Sequence, residues 1–125
     1  MRLGRGEECR IMTLKNVAIV LTKQGMGQGP PELLELLLDR YLKILSEEPD
    51  PPRYLLLYSA GVEVAREGSR YVGWLRVLEE KGCQVMLCSI CLDHYGMKGQ
   101  HPIGMSSCIN DIMKAMDLAD KVITL

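Results

Sequence analysis

The sequence has almost no net charge and no long apolar run, and each shortage excludes a class of protein. Its 15 basic and 16 acidic residues leave a formal net charge of -1, which gives no indication of nucleic-acid binding. The two longest apolar clusters, at 17–21 and 33–38, are far too short to cross a bilayer. The amino terminus has no continuous apolar signal region. We therefore expect a cytoplasmic protein that contacts neither nucleic acid nor membrane.

The length suits one domain with a hydrophobic core of its own. Hydrophobic residues make up 47% of the 125 positions and charged residues 25%, as in ordinary globular domains. Residues 1–15 have no apolar period and are predicted to form a loose leader. Met12 is a second candidate start, so the sequence leaves open whether residues 1–11 belong to the natural protein. Residues 16–125 are predicted to form the single domain.

The sequence also lacks a disulfide framework. Its cysteines are odd in number and stand at positions 9, 83, 88, 91 and 108. A chain of this size needs no covalent staples, so the cysteines indicate a reducing compartment. We interpret Cys83 and Cys108 as small buried hydrophobic residues. Cys88 and Cys91 differ from them because they form a Cys-x-x-Cys pair.

Strand-like and helix-like segments alternate along the chain. Apolar stretches bounded by polar or turn residues predict strands at 17–22, 53–58, 85–87 and 121–125, with a further short strand at 103–105. Amphipathic spacing and capping residues predict helices at 31–46, at 69–81 and from Ser106 or Ser107 onward, with a helical turn at 89–94. This alternation predicts an α/β fold, a three-layer α/β/α sandwich whose mostly parallel sheet has four to five strands.

The Cys-x-x-Cys pair stands where the third predicted strand ends. In open parallel sheets, ligands and chemistry collect at the carboxyl ends of the strands, and the amides of a following helix favour a thiolate. We therefore expect Cys88 to be a partly exposed nucleophile, with Cys91 as a resolving or auxiliary thiol. His94 lies one turn beyond Cys91 and is a candidate proton partner for either thiol. The commoner alternative is an exposed histidine without a catalytic role. Asp93 would oppose thiolate formation if it pointed inward, so we expect it to point outward.

Four kinds of chemistry are open to this pair from the residues alone. A zinc site needs four ligands, and the sequence has no second Cys-x-x-Cys knuckle, so we expect no metal and no other cofactor. Thioredoxin-type redox chemistry uses the same spacing at a helix start. A purely structural pair is the third case. The fourth is a cysteine that accepts and passes on sulfur, which needs a nucleophilic thiolate and an open approach.

A glycine-rich turn follows the first predicted strand. Its spacing, Gly25-x-Gly27-x-Gly29, lacks the lysine and Ser/Thr of a P-loop and the third glycine of a dinucleotide site. The main interpretation is a tight turn, and the other is a small anion bound at the start of the next helix. Gly61 follows the second strand and Gly96 follows the cysteine segment. We predict that Gly25, Gly27, Gly61 and Gly96 border a substrate or anion pocket.

The chain resembles the DsrE-like family of sulfur-relay proteins over roughly 16–125, and most closely the carboxy-terminal domain of YedF-type proteins linked to selenium metabolism. In the sulfur carriers of that family the active cysteine precedes a glycine by eight positions, as Cys88 precedes Gly96. The carriers have Arg-Gly where this chain has Tyr95-Gly96, and YedF-type proteins carry an additional amino-terminal sulfur-carrier domain. The resemblance is carried by the segments 22–27, 58–62, 67–69, 79–82, 88–96 and 119–123.

The resemblance implies a DsrE-like fold and a carrier that holds sulfur, or selenium in its place, as a persulfide on Cys88. It implies a TusA-like sulfur donor as a separate chain and a homo-oligomer of three or more subunits. An apolar surplus on the first helix, together with Leu92 and Met97, also favours an oligomer. Two alternatives remain: a dithiol-disulfide redox protein, and a module that binds a small ligand.

Overall fold

The structure is a computed structural model that describes residues 13–125. Met12 and Cys9 lie outside the described residues, and so does most of the predicted leader at 1–15. Within that range the chain forms, in order, β1 (Val17–Leu21), α1 (Pro31–Glu47), β2 (Tyr54–Leu57), a 3-10 helix (Ser59–Ala65), α2 (Val72–Glu80), β3 (Gln84–Cys88), α3 (Ser89–His94), β4 (Met105–Ser107), α4 (Ile109–Leu118) and β5 (Lys121–Thr124).

The strands form one parallel sheet in the order β4-β3-β2-β1-β5. All residues of β1 and β2 are buried, which explains why these strands are continuous apolar runs rather than alternating ones. The predicted α/β fold with a mostly parallel sheet is confirmed, and all five strands are parallel. Among residues 13–125, no helix has the length and apolarity that crossing a membrane requires.

The order of the strands sends the helices to opposite faces of the sheet. The chain steps from β1 to β4 in one direction and then returns past β1 to β5, so right-handed crossovers place α4 opposite α1 and α2. On the first face, α1 and α2 pack together, and the Trp74 indole N–H donates to Asp39 at 2.9 Å. On the second face, Ala115 of α4 shares a groove with Met86 and Met105. Hence β3 lies between two helical layers.

Several boundaries differ from the predictions. Helix α2 begins at Val72 and not at Ser69, because the Ser69 hydroxyl donates to the Val64 carbonyl at 2.7 Å and accepts from the Tyr71 amide at 3.1 Å. Ser69 thus closes the turn before the helix instead of capping it. The segment 62–68, which the sequence left ambiguous, begins inside the 3-10 helix.

The fourth strand lies two residues later than predicted. It spans Met105–Ser107, and Gly104 before it has a φ of +85° and accepts no side chain without crowding Leu87. Because Ser107 belongs to the strand, Cys108 becomes the residue before α4. Cys108 is therefore exposed, and its interpretation as a buried hydrophobic residue is wrong. Cys83 is buried, as predicted.

Candidate functional site

The two cysteines of the Cys-x-x-Cys pair meet where β2, β3 and β4 end. Cys88 is the last residue of β3, and α3 starts at the next position. Cys91 therefore lies one helical turn into α3, and its sulfur returns toward the sheet. There it accepts a hydrogen bond from the backbone N–H of Ser59 at 3.1 Å, just beyond the end of β2. The sequence prediction that the pair lies at the carboxyl edge of the sheet is confirmed.

Cys88 is not the exposed thiol of the pair. Only 3% of its surface is accessible, so the prediction of a partly exposed Cys88 is wrong. The reason is its register in the sheet, since Cys88 pairs with Ser107 of β4 on one side while β2 flanks β3 on the other. Helix α3 then leaves directly from Cys88. These neighbours close the strand end around its sulfur.

Cys91 is half-buried, and two opposing influences act on its ionisation. Burial raises the pKa of Cys91, and the hydrogen bond with the Cys88 thiol raises it further. The Ser59 amide acts in the opposite direction, because it donates to the sulfur and favours the anion. Burial outweighs the amide, so the net effect raises the pKa of Cys91. The four cysteines that the structure describes are all free thiols.

Ser59 has an unusual backbone conformation. Its φ is +53°, and within residues 13–125 it is the one residue other than glycine with a positive φ. Such a conformation costs on the order of 1 kcal/mol in a residue with a side chain and is typical of functional sites. Two backbone bonds fix the turn around it, from the Tyr58 amide to the Leu21 carbonyl at 3.1 Å and from the Gly61 amide to the Tyr58 carbonyl at 2.9 Å.

Gly61 holds this turn against the end of β1. A Cβ atom at Gly61 would lie 2.6 Å from the carbonyl carbon of Leu21, closer than real Cβ atoms approach any atom. Only glycine permits this approach of the 3-10 helix to the strand. The position of the Ser59 amide therefore depends on Gly61.

The other predicted pocket glycines lie in different surroundings. Gly25 is buried and its Cβ would lie 2.7 Å from the Leu34 Cβ, so it allows the glycine-rich turn to pack on α1. Gly27 and Gly96 are exposed turn residues, and the Lys23 ammonium donates to the Gly27 carbonyl. Packing explains Gly25 and Gly61. The pocket that these four glycines were predicted to border stays a prediction.

The two polar residues that follow Cys91 face solvent. Asp93 is exposed, as predicted. His94 is exposed as well, and its ring meets the Tyr95 ring edge to face at 5.0 Å. In the part of the chain that the structure describes, no hydrogen bond joins His94 to either sulfur. A proton-transfer role for His94 stays a prediction.

Arg66 joins the two helices that carry the site, a contact that sequence reasoning missed. Its guanidinium donates to the Glu63 carboxylate at 2.9 Å and to the Tyr95 carbonyl at 2.9 Å. Gln24 of the glycine-rich turn also donates to Glu63, at 3.0 Å. The three-residue spacing of Glu63 and Arg66 could have indicated their ion pair. The sequence has no signal for the longer-range contact to Tyr95.

Across 13–125, no three His, Cys, Asp or Glu side chains are grouped so that they could hold a metal ion.

Comparison with known proteins identifies the fold. No protein-family model and no curated protein matches the chain. Among solved structures, the YchN protein from E. coli matches with a TM-score of 0.67 at 20% identity, over 89% of this chain and 99% of that chain. MTH1491 from Methanobacterium thermoautotrophicum, a protein of unknown function, matches with a TM-score of 0.62 at 21% identity, over 89% and 99%. BT1422 from Bacteroides thetaiotaomicron, also of unknown function, matches with a TM-score of 0.56 at 10% identity, over 88% and 95%.

These likenesses concern the fold alone. They confirm the predicted α/β fold.

Proposed function

We propose that this chain is a sulfur carrier that accepts and passes on sulfur as a persulfide on the Cys88–Cys91 pair. One observation carries the proposal: two free thiols lie against each other at the carboxyl edge of the sheet, and one of them is accessible and bound by a backbone amide. Transfer of sulfur between thiols needs a nucleophilic thiolate and an open approach, without an elaborate acid-base apparatus. The site offers an accessible thiol and a backbone N–H that stabilises its thiolate when the proton leaves.

A dithiol-disulfide redox protein is the second candidate, and the contact between the two thiols favours it. Redox proteins of the thioredoxin type, however, have an accessible cysteine with a lowered pKa. Here burial and the Cys88 thiol raise the pKa of the accessible Cys91. The raised pKa slows sulfur transfer as well, so it does not separate the two candidates, and the resemblance to sulfur carriers is what favours the carrier. A small-ligand binding module is the third candidate, and it requires no change in either thiol.

The resemblance to YedF-type proteins supports further parts of the proposal. The partner would be a TusA-like sulfur donor on a separate chain, and selenium could take the place of sulfur in the same linkage. The free thiols suit a reducing, cytoplasmic setting. A homo-oligomer of three or more subunits would cover the apolar side chains that α1 exposes, namely Leu33, Leu36, Leu37 and Ile44. Leu92 and Met97, which we expected at the surface, are buried and add nothing to this argument.

The three candidates differ in how the mass of the chain changes. The test incubates the protein with glutathione persulfide and measures its intact mass, in a background with Cys9→Ser and Cys108→Ser, so that the buried Cys83 is the one thiol left outside the pair. We expect a gain of one sulfur atom, which is lost when Cys88→Ser and Cys91→Ser are combined. A loss of two hydrogens would identify the redox protein if neither Cys88→Ser nor Cys91→Ser gains sulfur, because in the intact pair the second thiol can also convert a persulfide to the same disulfide. An unchanged mass would favour the binding module.

A further inference from the structure

The two thiols of the pair differ in access, and this difference decides which of them can meet a donor. Attack on a persulfide requires the nucleophile to approach the sulfur from outside along the line of the S–S bond. Cys88 has 3% of its surface exposed, pairs with Ser107 of β4 and leads directly into α3. Cys91 is half-buried, with its sulfur at the rim beside the exposed Ser59. A donor protein can therefore reach Cys91 without opening the sheet.

The geometry points to Cys91 as the thiol that receives the sulfur, to Ser59 as the positioning residue whose amide holds its sulfur, and to Cys88 as the resolving thiol. This inference rests on the proposed function, sulfur carriage by the pair, and reverses the roles that the sequence assigned to the two cysteines. In this arrangement the buried Cys88 attacks Cys91 only after Cys91 has received the sulfur.

The conformation of Ser59 aims its amide at the sulfur. At a φ of +53° the N–H of Ser59 lies 3.1 Å from the Cys91 sulfur. The turn is held by the close packing of Gly61 on Leu21, so the amide is fixed before any sulfur arrives. A fixed donor of this kind stabilises negative charge on sulfur without reorganising. The left-handed backbone of Ser59, although energetically unfavourable, is therefore explained by the direction in which it points the N–H.

Sulfur enters and leaves Cys91 by exchange between a thiolate and a persulfide. In loading, the Cys91 thiolate attacks the outer sulfur of the donor persulfide, the donor S–S bond breaks, and the donor leaves as a thiolate. An acceptor thiolate then removes the outer sulfur from Cys91 by the same exchange. Without an acceptor, the Cys88 thiolate attacks the inner sulfur of Cys91 and expels hydrosulfide. The outer sulfur is thereby reduced and the two thiols are oxidised to a disulfide, which an external dithiol must reduce.

Mapping the added sulfur tests the assignment of the two thiols. The Cys9→Ser, Cys108→Ser background is loaded with glutathione persulfide, alkylated and fragmented in the mass spectrometer. We expect the sulfur on Cys91, no loading in Cys91→Ser, and a longer-lived persulfide in Cys88→Ser. Loading that survives in Cys91→Ser and disappears in Cys88→Ser would overturn the inference and leave sulfur carriage intact. An absence of sulfur in both Cys88→Ser and Cys91→Ser, neither of which can form the internal disulfide, would overturn the proposed function itself.

The role of Ser59 is tested by the pH profile of Cys91 alkylation in a Cys88→Ser background, with the exposed Cys108 as an internal reference. Ser59→Gly keeps the left-handed turn, whereas Ser59→Val disfavours it. We expect Gly to preserve the profile and Val to shift it to higher pH, with alkylation about tenfold slower at pH 8. If Ser59→Val does not fold, Ser59→Ala replaces it, and its alkylation profile is expected to lie between those of the Gly and Val variants. Equal profiles in the Gly and the bulkier variant would overturn the positioning role.

Discussion

Gly61→Ala should disturb both the packing beside the site and the hydrogen bond to Cys91. The new Cβ would lie 2.6 Å from the Leu21 carbonyl carbon, and nearer still to its oxygen. Both are backbone atoms at the buried end of β1, so no flexible side chain can move to relieve the contact. The 3-10 helix must instead lift from the strand. That movement weakens the bond from the Tyr58 amide to the Leu21 carbonyl and carries the Ser59 amide away from Cys91.

The size of the effect follows from the kind of contact. Overpacking in a well-packed core typically costs about 1–3 kcal/mol, and more when backbone has to shift. We therefore expect Gly61→Ala to lower the free energy of unfolding by about 3 kcal/mol or more. Gly73→Ala in α2 is the matched control, because its Cβ would meet nothing within 4 Å. There the same change should stabilise the helix by up to about 1 kcal/mol.

Urea unfolding, followed by the fluorescence of the single tryptophan, Trp74, measures both variants. A second readout, the rate of Cys91 alkylation relative to Cys108, reports on the site. Gly61→Ala should change this ratio, whereas Gly73→Ala should leave it unchanged. A loss of less than about 1 kcal/mol in Gly61→Ala, with an unchanged ratio, would show that the 3-10 helix does not depend on this contact.

Two further predictions concern the buried thiol of the core and the exposed face of α1. Burial, and then the nearby Glu79 carboxylate, raises the pKa of Cys83 from 9.0 to about 12, so the folded state loses stability as pH rises from 9 towards 12. By pH 10 this loss should reach about 1.4 kcal/mol in urea unfolding, and a Cys83→Ala variant with the same pH slope would contradict it. Light scattering should give a mass of at least three times 14.0 kDa, reduced by Leu37→Glu at the exposed face of α1. A clean monomer of the unmodified chain would refute the oligomer.

The fold was predictable because its signals are local. Continuous apolar runs indicate strands buried on both faces, and the alternation with amphipathic helices leaves few topologies for a parallel sheet. Register between strands is a different matter. The predicted strand at 103–105 would have ended level with Met86, leaving the end of β3 open. The observed β4 continues to Ser107 and pairs with Cys88, so a difference of two residues turned an expected exposed thiol into a buried one.

The contribution of Ser59 was beyond sequence reasoning for another reason. The group that contacts Cys91 is a backbone N–H, which every residue except proline carries, so the identity of Ser59 gives no signal. The sequence signal for this turn lies at Gly61 and not at Ser59 itself. A lone glycine after a strand indicates a close approach of backbone, but the sequence does not say which strand it approaches. Only the packing on Leu21 shows that this glycine directs an amide toward the thiol.

The contacts of Arg66 show why the buried thiol suits the second step and not the first. Arg66 bonds Glu63 in the 3-10 helix and the Tyr95 carbonyl just after α3, so the helix that supplies the amide and the helix that carries Cys91 are tied to each other. Exposing Cys88 to a donor would require these elements to separate. Attack by Cys88 on a loaded Cys91 requires only the contact that the two thiols already make. The order of burial therefore matches an order of events, with the outer thiol exchanging sulfur with partners and the inner thiol reacting only with the outer one.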